Sequence, residues 1–236
     1  MIKILAIGNS FSQDATVYLE GFSNELFVRN AYIGGCSIER HINELNSDSK
    51  VYEYQANGVK NGIELYSLKD IIASEKWDYI TVQQVSGLSG IESSYKPYLQ
   101  ELLNYLHTNT TAKIVFHQTW AYNKDFTDDS FAKYNYDFEF MHDSIVKTTT
   151  KIASDYNLPI IKTGEFIYNL KKYDVFNKEK GGISLHRDGF HLGMVFGRYA
   201  AACVWYKFFT GKIPSYLNRN DLTIPYKILK EELLKF

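Results

Sequence analysis

Ile2-Lys3-Ile4-Leu5-Ala6-Ile7-Gly8-Asn9-Ser10 opens the chain, and its reading decides the fold. The apolar run Ile2–Ile7 is a strand-forming segment, too short for a buried helix. Gly8-Asn9 ends it and leaves a serine hydroxyl on the first turn of whatever follows. In open α/β folds the region just beyond the carboxyl end of a strand is where ligands are held. A hydroxyl there is a weak nucleophile until a base takes its proton. A candidate base stands near the other end of the chain, in Asp188-Gly189-Phe190-His191.

Working outward from that strand, short apolar runs recur with helix-period segments between them. Leu26–Ile33 predicts a second strand closing at Gly34-Gly35, and Tyr79–Gln83 predicts a third, introduced by Trp77-Asp78. Lys113–Thr119 predicts a fourth and Pro159–Lys162 a short fifth. A helix is expected after the first strand, with Tyr18, Leu19 and Phe22 facing inward. Others are expected over Tyr95–Leu106, where Pro97 suits a first helical turn, over Phe138–Tyr156, and over Gly193–Phe209. This alternation predicts a parallel sheet sandwiched by helices. The segment Val51–Ser67 departs from it: Val51–Tyr54 and Gly62–Tyr66, around Asn57-Gly58, predict a small hairpin at the sheet edge. No repeat or linker divides the chain, so residues 1–236 are expected to form one domain.

A net charge of -1 leaves no electrostatic footprint for nucleic acid or an anionic membrane. Cys36 and Cys203 are too few for a disulfide framework and fit buried free thiols. No apolar run approaches the ~18 residues of a membrane span. The chain also opens directly on a strand, so the expected location is the cytoplasm; a signal peptide cleaved earlier would leave the same picture. With 19 tyrosines and 15 phenylalanines, some aromatic side chains are available to line a sugar-binding cleft.

Four segments fall at strand ends on one rim of such a sheet: Gly8-Asn9-Ser10, Gly34-Gly35-Cys36-Ser37, Gln83-Gln84-Val85-Ser86-Gly87 and Asp188–His191. Acyl transfer needs a nucleophile, a base, an orienter for the base, and donors aimed at the developing oxyanion. Ser10 fits the nucleophile, His191 the base, and Asp188, three residues before it, the orienter. Gly35 and Ser10 offer backbone N–H donors, and the Gln84 side chain, with Gln83 as the alternate, offers a third. Asn9, Trp120 and Tyr122 are candidates for the substrate-binding walls. Each feature has a plainer reading: Asn9-Ser10 as a helix cap, Gly34-Gly35 as a turn, and Asp188/His191 as a surface pair. Their order and joint placement at strand ends favour the catalytic one. His186, Asp188 and His191 lie too close together, without a fourth ligand, to make a good zinc site, so neither metal nor cofactor is expected.

On these residues the chain resembles the GDSL/SGNH hydrolase superfamily, with Ser10 in the first block, Gly35 in the second and Asp188-x-x-His191 in the last. Leu5–Ser12, Tyr32–Ser37, Trp77–Gln84 and His117–Tyr122 resemble, more narrowly, a bacterial branch of unassigned function. The resemblance implies a three-layer α/β/α sandwich with a flavodoxin-like five-stranded parallel sheet, and metal-independent ester hydrolysis. Two departures stand out. Asn9 replaces the aspartate of the family's Gly-Asp-Ser, and the third block lacks its oxyanion asparagine, Gln83-Gln84 being the nearest amides.

The expected function is therefore a serine esterase acting on small-molecule or carbohydrate esters, O-acetyl groups foremost. From a different class, a flavodoxin-like module could hold phosphate or nucleotide at Gly8–Ser12. That turn lacks the glycines of a phosphate cradle. A degenerate SGNH module that binds sugar without catalysis is the other alternative, and only an assay separates it from the esterase.

Overall fold

The computed structural model describes residues 1–60 and 62–236, so Asn61, inside the predicted hairpin segment, lies outside the described residues. Strand β1 (Ile2–Gly8) runs down the middle of a single sheet. On one side lies β2 (Leu26–Tyr32), followed by the antiparallel pair β3 (Glu53–Ala56) and β4 (Val59–Lys60). On the other side come β5 (Tyr79–Val82), β6 (Lys113–His117) and β7 (Ile160–Ile161). The five strands β2, β1, β5, β6 and β7 are parallel, and the hairpin extends the sheet to seven.

Side chains of β1 alternate between two cores, as a strand buried on both faces requires. Ile4 and Ala6 enter one core, Leu5 and Ile7 the other. Burying Ile4, Leu5 and Ile7 contributes roughly 2 kcal/mol each, which is why this run takes the centre of the sheet. The first core is covered by α1 (Ser10–Thr16), α2 (Leu19–Phe22), α8 (Thr163–Leu170), α9 (Phe196–Thr210) and α10 (Ile224–Leu233). The second is covered by α3 (Ile38–Asn46), α4 (Leu68–Ala73) and α5 (Tyr98–Asn109). Short α6 (Asp129–Ala132) and long α7 (Phe138–Asp155) complete the α/β/α sandwich.

Two expectations need correction. The first helix is broken at Val17-Tyr18 into α1 and α2: α1 buries Phe11, Asp14 and Ala15, while the expected inner face survives beyond the break, with Leu19 buried and Tyr18 and Phe22 half-buried against the same core. The hairpin's outer arm is Val59–Lys60, not Gly62–Tyr66. A two-residue turn at Asn57-Gly58 makes its flanking residues pair directly, as Ala56 does with Val59 and Gln55 with Lys60. Of the expected outer arm, Tyr66 makes a single bridge to Tyr52. Among the described residues no helix is long and apolar enough to cross a membrane.

Three of the four buried histidines give the fold a definite response to acid. Burial pushes the ring pKa of His41 and of His117 down to about 3, and that of His186 well below its usual value. The unfolded chain binds these protons near pH ~6.5 and the folded chain does not. Their contribution is thus complete above that pH and lost as pH falls toward the folded values. Stability should drop by about 1.4 kcal/mol per pH unit for each such histidine below pH ~6. Urea midpoints measured from pH 7 to 5 check this, and a flat profile would show that these rings are charged in the folded protein.

Candidate active site

The order of the parallel strands reverses at β1, which has β2 on one side and β5 on the other. The carboxyl ends of β1 and β5 lie side by side, with Ile7 in register with Val82, and open sheets hold their ligands at such a switch point. There a cleft of about 610 Å³ is bordered by Ser10, Gly35, Tyr122, His191 and the segment Val85–Leu88.

Ser10 occupies the first position of α1, behind the N-cap Asn9. The Asn9 Oδ1 accepts the Phe11 N–H at 3.0 Å, a normal cap. A helix's first N–H groups have no intrahelical acceptor, which leaves the Ser10 N–H available at the cleft. The rival hydroxyl, Ser12, is buried and donates to the Asn9 carbonyl at 2.8 Å. Gly35 sits in the left-handed region at φ 61°, which glycine adopts without strain, and is exposed at the border of the cleft.

His191 and Asp188 form a closed local unit. Asp188 Oδ2 lies 2.8 Å from His191 Nδ1, and Asp188 Oδ1 accepts the N–H groups of Phe190 (2.9 Å) and His191 (2.7 Å). Burial raises the Asp188 carboxyl pKa, but these hydrogen bonds and the imidazole outweigh it and hold the pKa below the ordinary value. With Nδ1 engaged, Nε2 is the remaining base nitrogen of His191. The loop is fastened from behind by the chain after β6. Trp120 Nε1 donates to the Phe190 carbonyl (2.8 Å), and Asn123 donates to the Gly189 carbonyl (2.7 Å) and the Asp188 carbonyl (3.0 Å). Gly189 is required here, because a Cβ would stand 1.9 Å from the Phe126 ring.

The expected substrate walls are only partly realised. Tyr122 borders the cleft. Its hydroxyl accepts from Ser86 (3.0 Å) and meets Ser130 (3.3 Å), which lies 2.5 Å from Asp128 Oδ1. A carboxylate is the stronger acceptor, so Ser130 donates to Asp128 and receives the Tyr122 proton. Trp120 is 1% exposed and stacks on Phe11 at 4.3 Å between ring centres. It supports the Phe190 backbone and does not line the cleft. Asn9 borders the cleft but turns its side chain away, donating from Nδ2 to the Cys36 carbonyl (3.0 Å) and accepting from Gln83 (2.8 Å). That donor bond is one a carboxylate cannot make, which accounts for asparagine in the aspartate position.

Neither glutamine side chain reaches the cleft. Gln84 Oε1 accepts the N–H groups of Ile38 (3.0 Å) and Val85 (2.9 Å), while its Nε2 donates to the Ser94 carbonyl (3.0 Å). It caps α3 and pins the loop after β5. Gln83 points the opposite way, as strand alternation requires, donating to Asn9 and lying 2.8 Å from His117 Nδ1. It stands behind Asn9, one hydrogen bond from the cleft surface. Gln84→Ala would orphan two buried N–H groups, so it should cost about 2 kcal/mol of stability and change kcat less than threefold. Paired urea melts and turnover measurements check this, and an undiminished stability would contradict the assignment.

Among the described residues no three His, Cys, Asp or Glu side chains are grouped as a metal would need. Burial drives the Cys36 thiol up to about 12, which leaves it unreactive. Sequence reasoning missed Asp14, a fully buried carboxylate one helical turn after Ser10. An acidic residue between the apolar positions Phe11 and Ala15, with an arginine just before Asp188, was the available signal.

The profile of DUF4886, a domain of unknown function, matches residues 3–221. No curated protein matches the chain. The crystal structure of a DUF4886 family protein from Bacteroides uniformis superimposes with a TM-score of 0.87 at 34% identity, over 99% of this chain and 93% of that one. A candidate SGNH hydrolase from Slackia heliotrinireducens gives 0.60 at 19% identity, over 88% and 98% of the two chains. An acetyl xylan esterase from Geobacillus stearothermophilus gives 0.54 at 14%, over 90% and 96%. At the last two identities the likeness is one of fold, and that fold is the SGNH α/β/α sandwich.

Proposed function

The chain belongs to the DUF4886 family, and from the cleft it carries we propose that it is a serine ester hydrolase of the SGNH type, acting on acyl esters and preferentially on acetyl groups carried by carbohydrates. The observation that carries this reading is the convergence of Ser10, Gly35 and an Asp188-bonded His191 on one cleft at the switch point of the sheet. In this reading Ser10 Oγ attacks the acyl carbon as His191 Nε2 takes its proton. Asp188 holds the ring's Nδ1–H and stabilises the imidazolium. The N–H groups of Ser10 and Gly35 receive the oxyanion of the tetrahedral intermediate. Collapse breaks the ester bond, and the departing alcohol takes the proton from Nε2. Water, deprotonated by the same nitrogen, then releases the acid and restores Ser10.

The third oxyanion donor is assigned in this reading to the backbone N–H of Ser86 or Gly87, which border the cleft where the glutamines do not; the N–H groups of Val85 and Leu88 are already spent on Gln84 Oε1 and the Val85 carbonyl. Carbohydrate substrates are supported by the aromatic walls Phe11, Tyr122 and Phe190 beside the polar Ser130 and Lys133. Esterases of acetylated xylan share the fold. A binding module without catalysis would leave the Asp188–His191 unit unused. The test is a panel running from p-nitrophenyl acetate to octanoate plus acetylated sugars, with wild type and Ser10→Ala side by side. Turnover of acetyl esters above the Ser10→Ala rate is expected; none on any ester would overturn the esterase reading.

A further inference from the structure

Asp14 is fully buried, yet it takes charge from two arginines. Its Oδ1 accepts from Arg198 Nε (2.7 Å) and Arg187 Nη1 (3.0 Å). Its Oδ2 accepts from Arg187 Nη1 (3.0 Å) and from the Leu192 N–H (2.8 Å). Arg187 and Leu192 flank the segment Asp188–His191, and Arg187 Nη1 also donates to the Leu192 carbonyl at 2.5 Å. One carboxylate on the helix that carries Ser10 thus grips both ends of the loop that carries the base. The other side of the same guanidinium matters more: Arg187 Nε is 3.9 Å from Asp188 Oδ2, the oxygen that holds His191 Nδ1 at 2.8 Å. A movement of about 1 Å would turn that approach into a charge-assisted hydrogen bond.

We propose that Asp14 is a positioning residue that holds Arg187 off Asp188, so that the Asp188 carboxylate stays committed to His191. A carboxylate facing a neutral imidazole and a free guanidinium goes to the guanidinium, because an ion pair at hydrogen-bond distance is the stronger contact. Asp14 prevents this by offering Arg187 a better-placed partner in a site with little competing water. Even without Arg187 the Leu192 N–H keeps the loop attached to α1 and Arg198 keeps Asp14 paired, so Arg187 is the hazard and Asp14 the restraint. The inference rests on the esterase reading for its kinetic consequence, though not for the Asp188–His191 bond itself.

The experiment compares Asp14→Asn, Arg187→Met and the double variant, with folding checked by circular dichroism. Asp14→Asn should lower kcat about 10²-fold with KM little changed, since base and nucleophile lose alignment while the cleft persists. Arg187→Met alone should lose less than tenfold. Adding Arg187→Met to Asp14→Asn should restore about tenfold of the lost kcat, a coupling of the size contacting residues show. A merely structural ion pair predicts the reverse, with the double variant no better than Asp14→Asn, and that result overturns the proposal. Should Asp14→Asn fail to fold, Arg187→Met still decides, since a folded variant that loses 10²-fold would make Arg187 necessary in itself. Proton NMR separates this inference from the esterase reading. The downfield His191 Nδ1–H signal should be present in wild type, lost in Asp14→Asn and regained in the double variant, whether or not any ester is hydrolysed. Persistence of the signal in Asp14→Asn overturns the inference.

Discussion

Ser10→Ala should lower kcat about 10⁶-fold on whichever ester the protein turns over best, His191→Ala should do the same, and the double variant should be hardly worse than either. The proton lost by the serine hydroxyl is the one gained by the imidazole, so removing either group removes the whole step. Stopped-assay rates for the three variants, with stability confirmed by thermal melts, measure the effect. Independent losses that multiply in the double variant would rule out a shared proton. The hydroxyl is specific to Ser10, because Ser12, two residues on, is buried and spends its proton on the Asn9 carbonyl. A Ser12→Ala variant therefore serves as the folded control and should retain kcat within a few-fold.

Asp188→Asn should lower kcat about 10⁴-fold, less than loss of the base itself and far more than loss of a surface contact. The reason lies in the two oxygens of this carboxylate. Oδ1 is tied to the N–H groups of Phe190 and His191, so an asparagine would keep its carbonyl there and turn its NH₂ toward His191 Nδ1. An N–H donor at that point makes Nδ1 the acceptor and puts the ring proton on Nε2, where it blocks general-base action. The loop should keep its shape, so KM and thermal stability should change little while kcat falls. Wild-type turnover in Asp188→Asn would remove this residue from the mechanism; an equal collapse in stability would reduce it to a loop staple.

The first strand, the parallel character of the sheet and the grouping of Ser10, Gly35, Asp188 and His191 as one set were legible along the chain, because each rests on local signals. Strand length and apolar content mark Ile2–Ile7 as a buried strand. A Gly-Asn pair ends the strand and caps the helix that bears Ser10. Asp188 and His191 need only three residues of separation to bond within one turn. The hairpin turn at Asn57-Gly58 was legible too, but its arms pair directly outward from the turn as Glu53–Ala56 and Val59–Lys60, not as the more apolar Val51–Tyr54 and Gly62–Tyr66.

What only the tertiary structure decided is where polar side chains spend their hydrogen bonds. Gln83 and Gln84 are adjacent amides of one residue type. One is consumed by Asn9 and His117, the other by Ile38, its neighbour Val85 and Ser94, so that every partner but Val85 is brought in from elsewhere in the chain. Trp120 reads as a cleft aromatic in sequence and is a buried prop because Phe11 covers its face. Asp14 reads as an ordinary helical acid. It joins Ser10's helix to His191's loop because Leu192 and two arginines, more than 170 residues away, arrive at its oxygens. Periodicity and caps are properties of neighbouring residues, whereas satisfying a buried amide or carboxylate depends on which distant groups the packed chain places within 3 Å of it.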